Sequence, residues 1–422
     1  MKTIRFPYGK DYMEYTPEKP CAVLTSSVEA YRPEKEGEAL VLEALRNPVE
    51  SPGLAQLAKG KKKVVLIASD HTRPVPSRII VPGMLQEIRR GNPEAQITIL
   101  IATGCHRTTT REELLAKFGK EICDRESIVI HDCDDEDMLV ELGTLPSGGK
   151  CVVNRLAVEA DLLVAEGFIE PHFFAGFSGG RKSVLPGIAG RKTVLANHCA
   201  EFIADKNART GVLENNPIHR DMLWAAEKAG LAFIVNVVLN GEKEAIFATA
   251  GHPVHAHRKG TDFLASLCQV KAEESDVVIS TNGGYPLDQN LYQAVKGMTA
   301  AESAVKQGGV IIMLAKSDDG IGGEHFYNQL SCGKAPEEII EEFLARDRNC
   351  TEPDQWQSQI FARVLTRAKV IYISDLPDGT VRQMNMTPAH SIPEALELAK
   401  DFLGKKDPSL TLIPDGVAVM VQ

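Results

Sequence analysis

Short and almost purely apolar runs recur along the chain and predict buried strands of parallel sheets. A strand buried on both faces reads as a continuous apolar run, whereas a half-exposed strand alternates. The runs are Val64–Ala68, Ile97–Ala102, Leu162–Ala165, Phe233–Val238, Val277–Ser280, Val310–Leu314 and Val370–Ile373. Helical patterns separate several of them, at Ile79–Arg90, Arg111–Lys117, Ala301–Lys306 and Pro336–Leu344. This alternation predicts an α/β fold with mainly parallel sheets.

A helix-like stretch at Thr261–Glu274 ends in the charged sequence KAEES and indicates a domain boundary. We therefore predict two α/β domains, an N-terminal one over 1–265 and a smaller C-terminal one over 270–400. The last segment, 405–422, either stays with the second domain or returns to the first. A length of 422 residues suffices for two hydrophobic cores.

Composition narrows the classes of function. The formal charge is −10 and the isoelectric point is near 5.7, which argues against nucleic acid as the main partner. The sequence contains no membrane-length apolar stretch, and its start lacks the apolar core of a signal peptide, so we expect a cytoplasmic protein without a membrane partner. The nine cysteines form no CxxC pair, which argues against a zinc ribbon or iron–sulfur cluster. Cys105 and Cys199 are next to candidate site histidines and are the two cysteines of functional interest.

Polar side chains follow three of the predicted strands, where ligands bind in open α/β sheets. Asp70 and Arg73 follow the first run, His106 the second and His172 the third. Arg73 offers a planar fork for a carboxylate or phosphate, and the two histidines can exchange protons near neutral pH. One strand-end histidine is usually structural and an arginine is often part of a surface ion pair. Four such groups on one rim favour a site.

The segment Glu170–Gly190 joins a histidine to a glycine-rich loop with a single lysine, Lys182. Gly179 and Gly180 would let backbone N–H groups approach a phosphate. Lys182 could bind a cofactor covalently or contact its phosphate, and His198 could ligate a metal ion. The plainer interpretation is a buried turn flanked by structural histidines.

A second cluster lies in the predicted C-terminal domain. On a helix starting near Asp288 or Gln289, the side chains of Tyr292, Gln293 and Lys296 share one face. Lys296 could meet a substrate carboxylate, or it could be a solvated lysine on an ordinary amphipathic helix. Further along, Trp356 belongs either to the core or to a pocket wall.

Together these motifs resemble the lactate racemase family, the nickel-pincer nucleotide-dependent racemases and epimerases of 2-hydroxy acids. The motifs occur in the family's order over most of the chain. They are Asp70-His71-Thr72-Arg73-Pro74, Gly104-Cys105-His106-Arg107, Glu170-Pro171-His172, Gly179-Gly180-Arg181-Lys182-Ser183, Asn197-His198, and Tyr292-Gln293 with Lys296. The resemblance implies an active site in the cleft between the two domains.

The resemblance also implies a cofactor and a mechanism. The cofactor is nickel held by a pyridinium-3-thioamide-5-thiocarboxylic acid mononucleotide, attached covalently at Lys182, with His198 as the protein's nickel ligand. His106 and His172 would act as acid and base while a hydride leaves C2 of the 2-hydroxy acid and returns to the opposite face. Dedicated cofactor-synthesis proteins would be required as partners.

The remaining family positions supply binding groups. Arg73 and Lys296 would hold the substrate carboxylate, supported by Gln293 and Tyr292, and Tyr292 with Trp356 could wall a pocket of lactate size. Asp70, Thr72, Gly179 and Gly180 are expected on the cofactor side, with Asp70 either contacting the cofactor or orienting a neighbour.

Two other functions stay open from the residues alone. A nicotinamide-type oxidoreductase needs a GxGxxG turn after a strand, and neither Gly179-Gly180 nor Gly283-Gly284 has that pattern. A non-catalytic nucleotide- or cofactor-binding protein is the second alternative. It would not explain the paired histidines or the two cations, Arg73 and Lys296, that could bind a carboxylate.

Overall fold

A computed structural model describes residues 2–422 and shows an α/β protein whose two large sheets are mainly parallel. The strands, in chain order, are β1 (Ile4–Tyr8), β2 (Asp11–Tyr15), β3 (Ala22–Val23), β4 (Lys63–Ser69), β5 (Gln96–Ala102), β6 (Ser127–Ile130), β7 (Leu139–Thr144), β8 (Lys150–Asn154), β9 (Leu162–Phe168), β10 (Pro171–His172), β11 (Gly176–Phe177), β12 (Leu231–Leu239), β13 (Ala245–Gly251), β14 (Gln269–Val270), β15 (Ser275–Thr281), β16 (Val305–Leu314), β17 (Ala368–Ile373), β18 (Thr387–Ala389), β19 (Leu410–Ile413) and β20 (Met420–Val421). The predicted fold class is confirmed.

Helices separate most of these strands. The α-helices are α1 (Gly37–Arg46), α2 (Leu54–Leu57), α3 (Ser77–Gly91), α4 (Arg111–Phe118), α5 (Lys120–Arg125), α6 (Arg155–Val158), α7 (Arg191–Asn197), α8 (Ala200–Ala204), α9 (Pro217–Lys228), α10 (Pro253–Cys268), α11 (Leu291–Glu302), α12 (Glu324–Leu330), α13 (Pro336–Ala345), α14 (Gln355–Arg367), α15 (Asp378–Gln383) and α16 (Ile392–Leu403). Short 3₁₀ helices occur at Val28–Ala30, Glu136–Met138, Gly180–Ser183 and Arg348–Cys350. Among residues 2–422, no helix is both long and apolar enough to span a bilayer.

The chain divides into two compact units. The first unit comprises Val28–His198 and Asp205–Ser266, and the second comprises the segment up to Ser27, Cys199–Ala204 and Leu267–Gln422. The change at Ser266 lies inside the stretch from which the sequence predicted a boundary. The units differ from the predicted ranges because residues 2–27 and Cys199–Ala204 belong to the second unit.

The first unit is built on a six-stranded sheet in the order β13-β12-β9-β4-β5-β6. All neighbours run parallel except the pair β12 and β13, which is antiparallel. Every residue of β9 is buried, as expected for a central strand covered on both faces. Because β9, β4 and β5 are adjacent and parallel, the loops that follow them leave the sheet at the same edge.

The second unit is built on a fully parallel sheet in the order β18-β17-β16-β15-β19-β3. Two pairings explain its ranges: β19 lies beside β15, and β3 lies beside β19. Residues 405–422 therefore belong to this unit, which settles the question that the sequence left open. Phe6 of the β1–β2 hairpin is fully buried in the same core.

One predicted helix is wrong. The sequence suggested a helix at Ala301–Lys306, but α11 ends at Glu302 and β16 already begins at Val305. The apolar and small residues Ala301, Ala304 and Val305 are all buried, so their spacing reflects a buried helix end followed by a buried strand start.

Candidate active site at the sheet edge of the first unit

The predicted rim of polar groups is present in the first unit. Asp70 follows β4, His106 follows β5, and His172 follows β9 within the short strand β10. A backbone hydrogen bond of 2.9 Å from the Gly104 N–H to the Gly187 carbonyl ties the loop after β5 to the loop that carries Lys182. Gly104 adopts φ of +55°, a left-handed conformation that glycine tolerates at little cost.

Asp70 orients His106. The Asp70 carboxylate is buried, and its Oδ2 lies 2.8 Å from Nδ1 of His106. The Thr72 hydroxyl donates to the other carboxylate oxygen at 2.6 Å. Burial raises the pKa of Asp70. The hydrogen bond and charge of His106, the hydrogen bond of the Thr72 hydroxyl and the charge of Arg73 together outweigh burial. The pKa of Asp70 is therefore lowered overall. An ionised Asp70 therefore holds the proton of His106 on Nδ1 and leaves Nε2 as a base.

His172, Lys182 and His198 surround the ring of Phe174. The Lys182 Nζ lies 3.2 Å from Nε2 of His172 and 5.7 Å from the Phe174 ring centre. Both histidine rings pack edge-on against Phe174, with centroids 4.5 Å away for His172 and 5.1 Å away for His198. The other nitrogen of His172 accepts from the Ala175 N–H at 3.3 Å. The segment Glu170–Gly190 and His198 thus form one cluster.

His198 has the geometry of an uncharged metal ligand. Its Nδ1 lies 3.0 Å from the Val194 carbonyl, so Nδ1–H donates there and the lone pair is on Nε2. Burial, together with the charge of Lys182, lowers the pKa of His198 to about 3, although the bond to Val194 acts in the opposite direction. A neutral imidazole whose second nitrogen is fixed by a carbonyl is the form that binds borderline metals such as nickel.

The two glycines of the loop serve packing more than anion binding. The Gly180 N–H donates to the Asn236 side chain at 2.8 Å, so it is already used. A Cβ at Gly179 would lie 2.8 Å from the Asn236 oxygen, and one at Gly180 would lie 2.9 Å from the His257 ring. The cofactor-side roles of Gly179 and Gly180 stay predictions. The glycines are needed because both residues have positive φ and sit against neighbouring protein atoms.

A buried arginine braces this loop, and the sequence analysis missed it. The Arg181 guanidinium donates to the Ala175 carbonyl at 2.7 Å, the Gly179 carbonyl at 3.2 Å and Nδ1 of His219 at 2.9 Å. Burial lowers the pKa of Arg181 to about 9. His257 lies 3.1 Å from the same guanidinium. His257 lies in α10 and is buried.

The predicted binding residues of the second unit lie together on α11 and at the start of α14. The side chain of Asn290 caps α11 by accepting from the Gln293 N–H at 3.0 Å, so the helix begins slightly later than predicted. Tyr292, Gln293 and Lys296 are half-buried. Trp356 is half-buried in the first turn of α14, where its neighbour Gln357 donates to the carbonyl of Tyr292.

Comparisons with known proteins decide the family. The profile of the lactate racemase N-terminal domain matches residues 8–211, and that of the lactate racemase C-terminal domain matches residues 270–421. The chain belongs to the lactate racemase family. The family predicted from the sequence motifs is therefore confirmed, and so is the prediction of an isomerase.

Individual lactate racemases are similar over their full length. The lactate racemase of Thermoanaerobacterium thermosaccharolyticum is 52% identical and that of Lactiplantibacillus plantarum is 49% identical, each with 100% of both chains covered. The structure of the Thermoanaerobacterium lactate racemase apoprotein superimposes with a TM-score of 0.96 over 100% of both chains. A crystal structure of a Thermotoga maritima protein shares the fold, with a TM-score of 0.65 at 21% identity over 92% of this chain and 100% of that one.

The residues of this lactate racemase family member fit the cofactor that the sequence implied. Lys182 presents a primary amine, and His198 presents an unprotonated imidazole nitrogen, both close to the Phe174 ring. An amine can form the covalent link and an imidazole suits nickel, so the donor set matches a nickel nucleotide held by one bond and one ligand.

We expect the neutral state of His198 to make stability depend on pH. The unfolded-state pKa of a histidine is about 6.5, whereas that of His198 is lowered to about 3 in the fold. Between these values the unfolded chain binds more protons, so stability falls as pH drops below about 6.5. From pH 7 to pH 5 the loss is about 2 kcal/mol for this one group. Urea unfolding of the nickel-free protein at both pH values measures it.

Two variants isolate the contribution of His198. In His198→Gln, the difference in unfolding free energy between pH 7 and pH 5 should shrink by about that amount, because the titrating group is gone. In His390→Asn, the difference should stay at the wild-type value, because 66% of the His390 side chain is exposed. An unchanged pH dependence in His198→Gln would show that His198 titrates alike in the folded and unfolded chains.

Replacing Asp70 should weaken His106 as an acid and base. In Asp70→Asn, an amide replaces the carboxylate that holds the His106 proton on Nδ1. We therefore expect a loss of about a hundredfold in kcat for a family substrate. The matched control is Asp132→Asn, an exposed aspartate after β6. A wild-type kcat in Asp70→Asn would contradict the orienting role.

Proposed function

We propose that this protein interconverts the two enantiomers of a small 2-hydroxy acid, with lactate as the first candidate substrate. The substrate comes from the names of the full-length relatives, and the chemistry comes from the site. One observation carries the proposal: three groups lie at one sheet edge. They are His106, an oriented base; Lys182, a primary amine; and His198, a neutral imidazole that can bind a metal ion.

The protein would hold the cofactor through two of these residues. Lys182 would supply the covalent bond and His198 the nickel ligand of the pincer nucleotide. When bound, the nickel-pincer nucleotide would supply the hydride-transfer chemistry at C2 of the substrate. Cofactor-synthesis proteins would be required as partners, because an amine and an imidazole alone cannot build such a group.

His106 and His172 would move the hydroxyl proton. The Nε2 of His106 has the lone pair, because Asp70 holds the proton of this ring on Nδ1. His172 now faces Lys182 through its own Nε2. Covalent attachment of the cofactor at Lys182 would end this contact and release Nε2 of His172 for the substrate. Two bases are needed because the two enantiomers present their hydroxyl groups in different directions.

The remaining groups would bind and orient. Arg73 is exposed at the rim and offers two parallel N–H donors to a carboxylate. Lys296 of the second unit would provide a second positive charge, with Gln293 and Tyr292 beside it on α11. Thr72 supports Asp70 through its hydroxyl in this structure, and we propose that this is its role in place of direct cofactor contact.

We also propose that the protein works in the cytoplasm. Among residues 2–422 none of the nine cysteines is in a disulfide bond, which suits a reducing compartment.

The direct test of the proposed function is an assay of each lactate enantiomer. The protein is produced together with the cofactor-synthesis proteins and nickel, and the enantiomers are separated by chiral chromatography without added nicotinamide cofactor. Starting from either pure enantiomer, the reaction should reach an equal mixture. If cofactor-loaded protein converts neither enantiomer, lactate is not the substrate. A requirement for nicotinamide would favour the oxidoreductase alternative.

A further inference from the structure

Two cysteines lie side by side beyond the ends of neighbouring strands in the first unit. Cys105 follows β5 and Cys133 follows β6. The loops are fixed together, because the His131 N–H donates to the Ile101 carbonyl at 3.1 Å and the Thr103 hydroxyl donates to the His131 carbonyl at 2.6 Å. The backbone therefore brings the two cysteines close together independently of any thiol chemistry.

The two thiols contact each other. The side chains of Cys133 and Cys105 share a hydrogen bond, with Cys133 buried and Cys105 partly exposed. That bond and the charge of Arg191 lower the pKa of the Cys105 thiol, although burial acts in the opposite direction. The same bond and burial raise the pKa of Cys133. Cys105 is thus the thiol that ionises first, and Cys133 is its protonated neighbour.

We propose that Cys105 and Cys133 are a redox pair that forms a reversible disulfide when the protein meets a peroxide. The Cys105 thiolate attacks one oxygen of the peroxide, becomes a sulfenic acid and releases hydroxide. The Cys133 sulfur then attacks the Cys105 sulfur, the S–O bond breaks, and water leaves with the Cys133 proton. Two electrons pass from the two sulfurs to the peroxide, and a thiol reductant reverses the change.

The disulfide would disturb the neighbouring His106. A sulfur–sulfur bond is only about 2.0 Å long, shorter than any hydrogen-bonded contact between thiols, so oxidation must draw the two side chains together. His106 is the next residue, and its bond of 2.8 Å to Asp70 depends on the position of this loop. Oxidation should therefore reduce catalysis by pulling His106 away from its carboxylate. This role in control goes beyond the proposed racemase activity.

A metal ion is the weaker interpretation of the same region. Ligand atoms of Asp132, Cys133 and Asp134 lie within 4.8 Å of one another. Both oxygens of Asp134, however, are held by Arg191 at 2.8 and 2.6 Å. An arginine in that position competes with a cation, so this cluster is better suited to thiol chemistry.

The test is to oxidise the purified protein with hydrogen peroxide and map its cysteines. Remaining thiols are alkylated, and the chain is digested with trypsin without reductant. Each of the tryptic peptides 91–107 and 126–150 contains one cysteine, Cys105 and Cys133 respectively. We expect a linked pair of these peptides, lighter than their sum by two hydrogens, which disappears on treatment with dithiothreitol. Mass spectrometry reads this result without reference to activity.

Matched variants separate the pair from general oxidation. Cys133→Ser and Cys105→Ser should each abolish the linked peptide, and Cys133→Ser should accumulate a Cys105 sulfenic acid that dimedone traps. Cys332→Ser removes an exposed cysteine and should leave the link intact. In cofactor-loaded wild-type protein, the oxidised form should lose at least tenfold in kcat, and dithiothreitol should restore it.

Two results would overturn the proposal. One is that both peptides are recovered fully alkylated after a peroxide dose that oxidises Cys332. The other is that Cys105 pairs with a different cysteine. If the link forms while kcat stays unchanged, the control of His106 is overturned. A protein inactive before oxidation instead marks a failure of the proposed function, because the linked peptide is scored separately.

Discussion

Lys182→Ala should prevent the protein from acquiring its cofactor and should reduce racemisation to background. Lys182 is the only primary amine in the segment from Glu170 to Gly190. It is half-buried beside His172, at 3.2 Å, where an incoming nucleotide would meet one defined nucleophile. After co-production with the cofactor-synthesis proteins and nickel, intact-protein mass should show an added group on the wild type, and peptide mapping should place it on Lys182. The variant should show the unmodified mass.

Two further variants show whether the loss is specific to the amine. Lys182→Arg keeps the positive charge but has no primary amine, so it should also lack the added mass. Lys192→Ala removes an exposed lysine ten positions along the chain and should be loaded and active like the wild type. An added mass that persists in Lys182→Ala would contradict the attachment. So would an unmodified Lys182 when a lactate racemase loaded in parallel is modified.

His106→Asn should reduce kcat by about 10²- to 10⁴-fold, because it removes an acid–base group. The variant should still carry the added mass on Lys182, since His106 belongs to the Asp70 pair and Lys182 contacts His172. Steady-state kinetics from each enantiomer measures the loss, and intact mass shows that the cofactor is present. If His106 had only a structural role, its replacement would lower the amount of cofactor-loaded protein and leave the turnover of that loaded protein unchanged.

The control for this variant is another solvent-exposed histidine. His390→Asn should leave kcat and KM unchanged, because His390 is 66% exposed and contacts Asp378 only at 3.5 Å. If loaded His106→Asn turned over like the wild type from both enantiomers, His106 would not be one of the two bases.

The rim of the first unit was predictable because its strands are almost purely apolar runs. Once β9, β4 and β5 are recognised as parallel strands, Asp70, His106 and His172 must leave the sheet at one edge. The α/β class follows from the same runs. The family motifs then assigned Lys182 and His198, which the fold brings to one aromatic ring.

The rest depends on contacts between residues far apart in the chain, which local patterns do not contain. Arg181 meets His219 and His257, 38 and 76 positions away. The Gly180 N–H is satisfied by Asn236, 56 positions away, so a glycine pattern typical of anion binding served packing here. The assignment of the first 27 residues to the second unit likewise rests on the pairing of β3 with β19.

The central proposal is that the C2 hydrogen leaves the substrate and returns to it as a hydride, while the histidines move only the hydroxyl proton. The measurement that tests it most directly is racemisation of one lactate enantiomer carrying deuterium at C2, in ordinary water, with the loaded protein. Mass spectrometry of the opposite enantiomer formed early in the reaction should show deuterium retained at C2. Product that carries hydrogen from water at C2 would instead show proton abstraction from carbon and would contradict the account.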